Sequence, residues 1–131
     1  MLIKLITLFI VGLIIGSVFE FFYRSFRAKK VITPRFVNIQ IYAIVGIFVY
    51  LTTYININIF WKIILFFVAA TTIEYINGLI RFKVTGKKPW DYSKHKLNFQ
   101  GLICLDFSIA WTIISVLAYL YILPLVDNIR F

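Results

Sequence analysis

Four long apolar stretches alternate with short charged connections along this chain, and the length of each stretch identifies its element. Apolar residues run from near Met1 through Ile6 to Phe22, from about Asn38 to Leu51, from Ile59 to Ile80, and from Gly101 to Leu123. A helix that crosses a bilayer needs about 20 predominantly apolar residues, so each run predicts a transmembrane helix. In 131 residues four such helices fit with their connections, and five do not. The expected fold is all-α: a polytopic membrane protein whose four transmembrane helices form one domain over residues 1–131. The first run contains Lys4 but ends without a small-x-small cleavage site, so it reads as a retained helix rather than a removable signal.

Composition supports the pattern. The chain is 62% hydrophobic, 19% aromatic and 15% charged, with a mean hydropathy of +0.93. Soluble domains carry roughly 45–50% apolar and about 25% charged residues, which excludes that class. Six Gly and three Pro among abundant Phe, Ile and Leu exclude a disordered or collagen-like chain. The single cysteine, Cys104, cannot close a disulfide, and no Cys/His cluster supports zinc or haem. It reads as a small apolar residue inside a helix.

Charge then orients the helices. Arg24, Arg27, Lys29, Lys30 and Arg35 lie between the first two runs, and Arg81, Lys83, Lys87, Lys88, Lys94 and Lys96 between the last two. Only Lys4, Lys62 and Arg130 fall elsewhere. The positive-inside rule places both basic loops in the cytoplasm and both termini outside. Orientation and anionic lipid headgroups account for the net charge of +9, with no nucleic-acid partner required.

The five acids carry the candidate chemistry. Glu20 and Glu74 each precede a basic residue, Arg27 and Arg81, by seven positions, about 10 Å of helix rise. Both therefore lie inside the cytoplasmic leaflet. An intramembrane acid costs at least ~2.5 kcal/mol on insertion scales and normally faces a bundle interior or a wet cavity. Gly12, Gly16 and Glu20 recur every fourth residue, as do Ala70, Glu74 and Gly78, with Asn77 nearby. Small residues let helices approach closely, so both glutamates are expected on packed faces. The bland alternative is a carboxylate paired with Arg24, Arg27 or Arg81 only to orient helices. Ser17-Val18-Phe19-Glu20 and Thr71-Thr72-Ile73-Glu74 also form a weak internal repeat, which predicts equal depth and convergence of the two acids.

The second basic loop, from Lys87 to Gly101, is the most distinctive segment. Trp90 and Tyr92 suit an interfacial belt, Asp91 and Ser93 could cap a short helix, and His95 reads as a solvated residue among lysines. If a helix starts near Gly101, Asp106 is rotated about 140° away from that residue's face, which ranks it below the glutamates. Asp127 reads as a solvated tail residue.

Together, Glu74-Tyr75-Ile76-Asn77-Gly78, Trp90-Asp91-Tyr92-Ser93, Asn98-x-x-Gly101-x-Ile103-Cys104-Leu105 and Ser108-x-x-Trp111 resemble the bacterial family known as putative ABC-transporter type IV permeases. Gly16-x-x-x-Glu20 matches that family's first helix, and transmembrane protein 229 of animals is similar. The likeness covers Gly16 to Trp111 and departs at Thr33-Pro34, where the family has a Gly-Pro-x-x-Pro entry to its second helix. It implies a multi-pass protein of the bacterial inner membrane and, by the family's name, transport. The chain has no Walker A loop, since Thr85-Gly86-Lys87-Lys88 lacks the earlier glycine and the Ser/Thr, so any ATPase would be a separate chain.

Two function classes and a blander third follow. In the first, a transporter or transport-complex subunit, Glu20 and Glu74 form a cytoplasm-facing pocket for a cation, with proton-coupled exchange as one mode. In the second, an interfacial enzyme acts on a phosphorylated lipid or headgroup, with carboxylates holding magnesium. In the third, the chain is a structural or regulatory subunit. The expected ligand-binding set is Glu20, Glu74, Asp91, Tyr92, Ser93, Asn98, Trp90 and Ser108. Trp90 and Tyr92 are expected at the rim, Asn98 and Ser108 as neutral hydrogen-bonding groups, and the Trp90 to Asn98 loop folded over the cluster. No cofactor, metal or catalytic residue is assigned, and a homo-oligomer or separate partner subunits are expected.

Overall fold

The computed structural model describes residues 1–129. Its elements are α1 (Leu2–Ala28), α2 (Phe36–Leu51), α3 (Ile59–Thr85), the short strands β1 (Asn98–Phe99) and β2 (Ile103–Cys104), and α4 (Leu105–Asn128). A 3-10 turn over Thr52–Tyr54 prolongs α2, and a π-helical turn over Ala118–Ile122 interrupts α4. Pro124 follows that turn; it has no N–H to donate to the carbonyl four residues back, so the ladder must rearrange there.

Local chemistry sets the ends. α1 stops at Lys29, which takes a left-handed conformation while its N–H and that of Lys30 return to Phe26 and Ser25 carbonyls. Asn58 caps α3 by accepting the Trp61 N–H at 3.2 Å, and Gly86 at φ 69° ends it. The fourth helix starts at Leu105, not near Gly101 as the hydropathy implies. Gln100 and Gly101 both have positive φ and turn the chain into the β1–β2 hairpin, which pairs Asn98 with Cys104 and Phe99 with Ile103. Cys104 consequently lies in a strand, buried, rather than inside a helix.

Three helices, α1, α3 and α4, are long and apolar enough to cross a membrane. α2 is shorter: 16 residues rise only about 24 Å, less than the roughly 30 Å of hydrocarbon. It is nevertheless the centre of the bundle, packed against the other three helices. Ile41, Ala43, Val45, Val49 and Tyr50 of α2 are buried with Leu8, Phe66, Ala70, Trp111, Leu123 and Val126 from its neighbours. Close approach of α1 depends on glycine, because a Cβ at Gly12 would stand 2.5 Å from the Ala43 Cα and one at Gly16 3.0 Å from the Ile39 carbonyl oxygen. Outward positions such as Ile14, Phe60, Val68, Ile113 and Leu120 are exposed and apolar, as a surface facing lipid requires.

The bundle runs up and down. At one end Lys4 Nζ lies 2.6 Å from Asp127 Oδ1, joining the start of α1 to the end of α4, so Asp127 is paired rather than merely solvated. At the opposite end Arg35 donates to the Pro89 carbonyl at 3.2 Å, which brings the two basic connections together.

Candidate functional site

Both glutamate stripes are buried along their length: Gly12, Gly16 and Glu20 on α1, and Ala70, Glu74 and Gly78 on α3. Gly78 holds no helix against α3; its open face receives the Trp90 ring and Leu102, each 3.1 Å from where a Cβ would be. The loop is therefore seated on the glutamate stripe.

Glu20 is neutralised locally. Asn38 Nδ2, at the start of α2, donates to Glu20 Oε1 at 2.6 Å, and Arg24 Nε lies 3.7 Å from the same oxygen one turn along α1. Glu74 is only 2% exposed and has no cationic partner among the described residues. The Tyr92 hydroxyl donates to its Oε1 at 2.8 Å, while Oε2 is buried without a hydrogen-bond partner. Trp111 stands beside the same carboxyl without reaching hydrogen-bond geometry.

The two glutamates line one cavity of about 650 Å³ at the basic-loop end of the bundle. That size is typical of a small-molecule site. Tyr42, Trp90, Tyr92, Phe107 and Trp111 supply most of its aromatic wall, and Arg24, Arg27 and Arg35 reach its edge. Each arginine already has a contact: Arg24 donates to the Thr33 carbonyl, Arg27 to the Tyr23 hydroxyl, and Arg35 to Pro89.

The loop makes its own fold. Trp90 Nε1 donates to the Leu102 carbonyl at 2.8 Å and the Tyr92 N–H to the Gly101 carbonyl at 2.8 Å, so the segment lies back on the hairpin. Burial, and then the adjacent Glu74, hold the Tyr92 phenol far above the ordinary tyrosine range, so it stays a donor. Asp91 accepts the Ser93 N–H at 3.0 Å, a local turn rather than a helix cap. That hydrogen bond keeps the Asp91 carboxyl below its usual range.

Of the residues expected from sequence, Glu20, Glu74, Trp90, Asp91 and Tyr92 line the cavity, and Ser93, Asn98 and Ser108 do not. Asn98 braces the loop instead, donating to the His95 carbonyl at 2.9 Å and accepting the Gly101 N–H at 3.1 Å. Ser93 is exposed and offers its backbone to Asp91 and Asn98. Ser108 is buried in the helix packing, away from the cavity wall. His95 is not simply solvated: its Nδ1 lies 3.3 Å from Asp106 Oδ2 and its ring meets the edges of Tyr92 and Phe107.

Sequence reasoning passed over Asn38, Tyr42 and Arg35. Asn38 opens an apolar run in which Gln40 is the other early amide, and these two amides were the available signal. Lys62 was also left unexplained; it is 6% exposed, donates to the Tyr119 hydroxyl at 2.9 Å and lies 4.7 Å from that ring's centroid. Among the described residues no three His, Cys, Asp or Glu side chains are grouped to hold a metal ion.

A family model described as Putative ABC-transporter type IV matches residues 7–131, all but the first six residues of the chain. No curated protein and no solved structure matches it.

Proposed function

The chain belongs to the putative ABC-transporter type IV family, and we propose that it is a small transport protein or transport-complex subunit whose cavity binds a cationic solute, with Glu74 as the counter-charge. The observation that carries this reading is the state of Glu74: buried, unpaired by any cation among the described residues, one oxygen held by Tyr92 and the other without a partner there. A buried acceptor left unsatisfied costs about 1–3 kcal/mol, a penalty that a bound cation removes. Aromatic rings add to the preference, since Tyr42, Trp90, Tyr92 and Trp111 line the same cavity as the carboxylate and a ring face attracts an ammonium group.

Glu20 plays a different part. Its pairing with Arg24 is what the helix-orienting alternative anticipates, and the bond from Asn38 fixes the entry of α2 beside the cavity. The metal-assisted enzyme has less support, because Asp91 is engaged in its own turn and Asp106 with His95.

In the membrane the proposed arrangement is four spans in a bacterial inner membrane, with α2 and its 3-10 turn as the shortest span, both basic loops cytoplasmic and both termini outside. The basic loops hold anionic headgroups. So small a bundle acts as a homo-oligomer or with separate subunits, an ATPase among them if the cycle uses ATP.

Thermal unfolding of the detergent-solubilised protein tests the reading with tetramethylammonium, ethanolamine, sodium and magnesium, and with Glu74→Gln in parallel. A ligand at a hundred times its dissociation constant adds about 2.7 kcal/mol. Stabilisation by an ammonium ion that disappears in Glu74→Gln supports the proposal. Equal responses in the two proteins overturn it.

A further inference from the structure

A second, smaller cavity adjoins the first. It holds about 50 Å³ and runs between α1 and α4 over α2, walled by apolar residues including Leu8, Val45, Val49 and Leu123. Three residues, Tyr42, Trp111 and Ile114, line both spaces, so the polar cavity and the apolar cleft share a wall. Tyr42 and Trp111 touch there, with ring centroids 4.6 Å apart. The one hydroxyl on the cleft besides Tyr42, that of Ser115, is spent on the Trp111 carbonyl at 2.8 Å. Apart from the Tyr42 hydroxyl, no side chain of the cleft offers a hydrophilic solute a free polar group.

Gly46 marks the floor of this cleft. The other helix-packing glycines of the bundle are crowded, with α2 atoms within 3.0 Å of where a Cβ would stand on Gly12 or Gly16. At Gly46 a Cβ would meet nothing within 4 Å. Here the missing side chain leaves space that no neighbouring helix fills. The flanking helices also meet at both ends of the groove, through Lys4 and Asp127 at one and the Tyr23 and Phe107 rings, 6.0 Å apart, at the other.

We infer that the ligand is a cationic amphiphile, its ammonium head in the large cavity against Glu74 and the first carbons of its hydrocarbon chain in the cleft over Gly46. This rests on the cation-binding reading of the large cavity and adds the class of molecule bound there. The shared wall supplies the continuity. The acid and aromatic rings at one end and the predominantly apolar lining at the other match a molecule polar at one end only. A small hydrophilic cation would use the first space and leave the second idle.

The test is a series of alkyltrimethylammonium ions with methyl, butyl and octyl chains below their micellar concentrations. Binding is read from the fluorescence of Trp90 and Trp111 in wild type, Gly46→Ala and Gly46→Leu. Tetramethylammonium, which has only the head, is expected to bind all three proteins equally. In the wild type affinity rises over the first carbons of the chain, by up to about fourfold for each methylene taken from water into the cleft, the equivalent of ~0.8 kcal/mol, and then levels off because the cleft holds only about 50 Å³. Gly46→Ala trims that gain and Gly46→Leu abolishes it. Partition of the longer ions into detergent is common to the three proteins and cancels in the comparison. Octylphosphocholine in the same assay separates a phosphate-bearing lipid head from a bare ammonium; a Gly46-dependent gain with either supports the inference. The same chain-length gain in wild type and Gly46→Leu overturns it while leaving the cation site intact. Failure of tetramethylammonium to bind the wild type is instead the failure of the cavity reading itself.

Discussion

Tyr92, in the loop before the hairpin, donates its hydroxyl to Glu74 Oε1 at 2.8 Å and thereby ties that loop to the buried face of α3. The same ring stacks on Phe107 of α4, with centroids 4.5 Å and planes 12° apart. One side chain thus couples the carboxylate, the loop and the start of α4.

Tyr92→Phe keeps the stacking and removes the donor. Glu74 then has neither oxygen satisfied, and the expected loss is about 1–3 kcal/mol of stability by thermal unfolding in detergent. Combined with Glu74→Gln, the two changes are expected to be non-additive, because they share one contact. Additive losses would show that the hydrogen bond contributes nothing.

Gly12 and Gly46 are expected to respond in opposite directions to the same methyl group. Gly12→Ala places a Cβ 2.5 Å from the Ala43 backbone, and overpacking of this kind costs about 1–3 kcal/mol. Gly46→Ala meets open space and gains helix propensity, up to about 1 kcal/mol. Unfolding temperatures of the two variants measured side by side decide it.

Gly101 cannot be replaced without disturbing Asp91. Its φ of 69° disfavours any other residue, and a Cβ there would stand 2.6 Å from Asp91 Oδ1. Gly101→Ala is expected to release the loop, exposing Trp90 and shifting its fluorescence to the red. Trp90 emission unchanged from wild type would mean that the turn tolerates the substitution.

The Asp91 turn also predicts a pH dependence. Its carboxyl titrates below the usual range when folded, so the turn is at full strength above the unfolded carboxyl's range and weakens as pH falls through the lowered folded value. Acid titration of the loop's fluorescence is expected to show this step, and Asp91→Asn to lack it.

Lys4 and Asp127 make the shortest ion pair among the described residues, yet both side chains are substantially exposed. Lys4→Ala is expected to cost no more than about 1 kcal/mol, less at high salt. A larger loss in thermal unfolding would mean that the pair does more than join two helix ends.

Features periodic along a single helix were legible in the sequence. The four-residue spacing that carried Gly12, Gly16 and Glu20 onto one face, and Ala70, Glu74 and Gly78 onto another, corresponds to two buried stripes. What escaped were partners set by tertiary geometry. Asn38 meets Glu20 only because α2 returns beside α1, and Tyr119 meets Lys62 across 57 positions. The Gln100–Gly101 turn broke an apolar run that hydropathy alone reads as helix, because a run of Leu, Ile and Cys says nothing about a positive φ beside it. Asn98 was expected in the site for its amide, but the loop's own carbonyls and N–H groups claimed that amide first.

The depth of Glu74 carries a consequence for permeation. It lies seven residues from Arg81, about 10 Å below the basic end, within a hydrocarbon layer of roughly 30 Å. A cation resting there has crossed about a third of that layer, and the bundle ahead of it carries the buried cation Lys62 on the same face of α3. Further entry along the same axis offers no second carboxylate until Asp127, at the far rim. On the proposed transport reading, passage to the other face then requires the helices to exchange one open vestibule for another, a rearrangement rather than diffusion through a continuous pore.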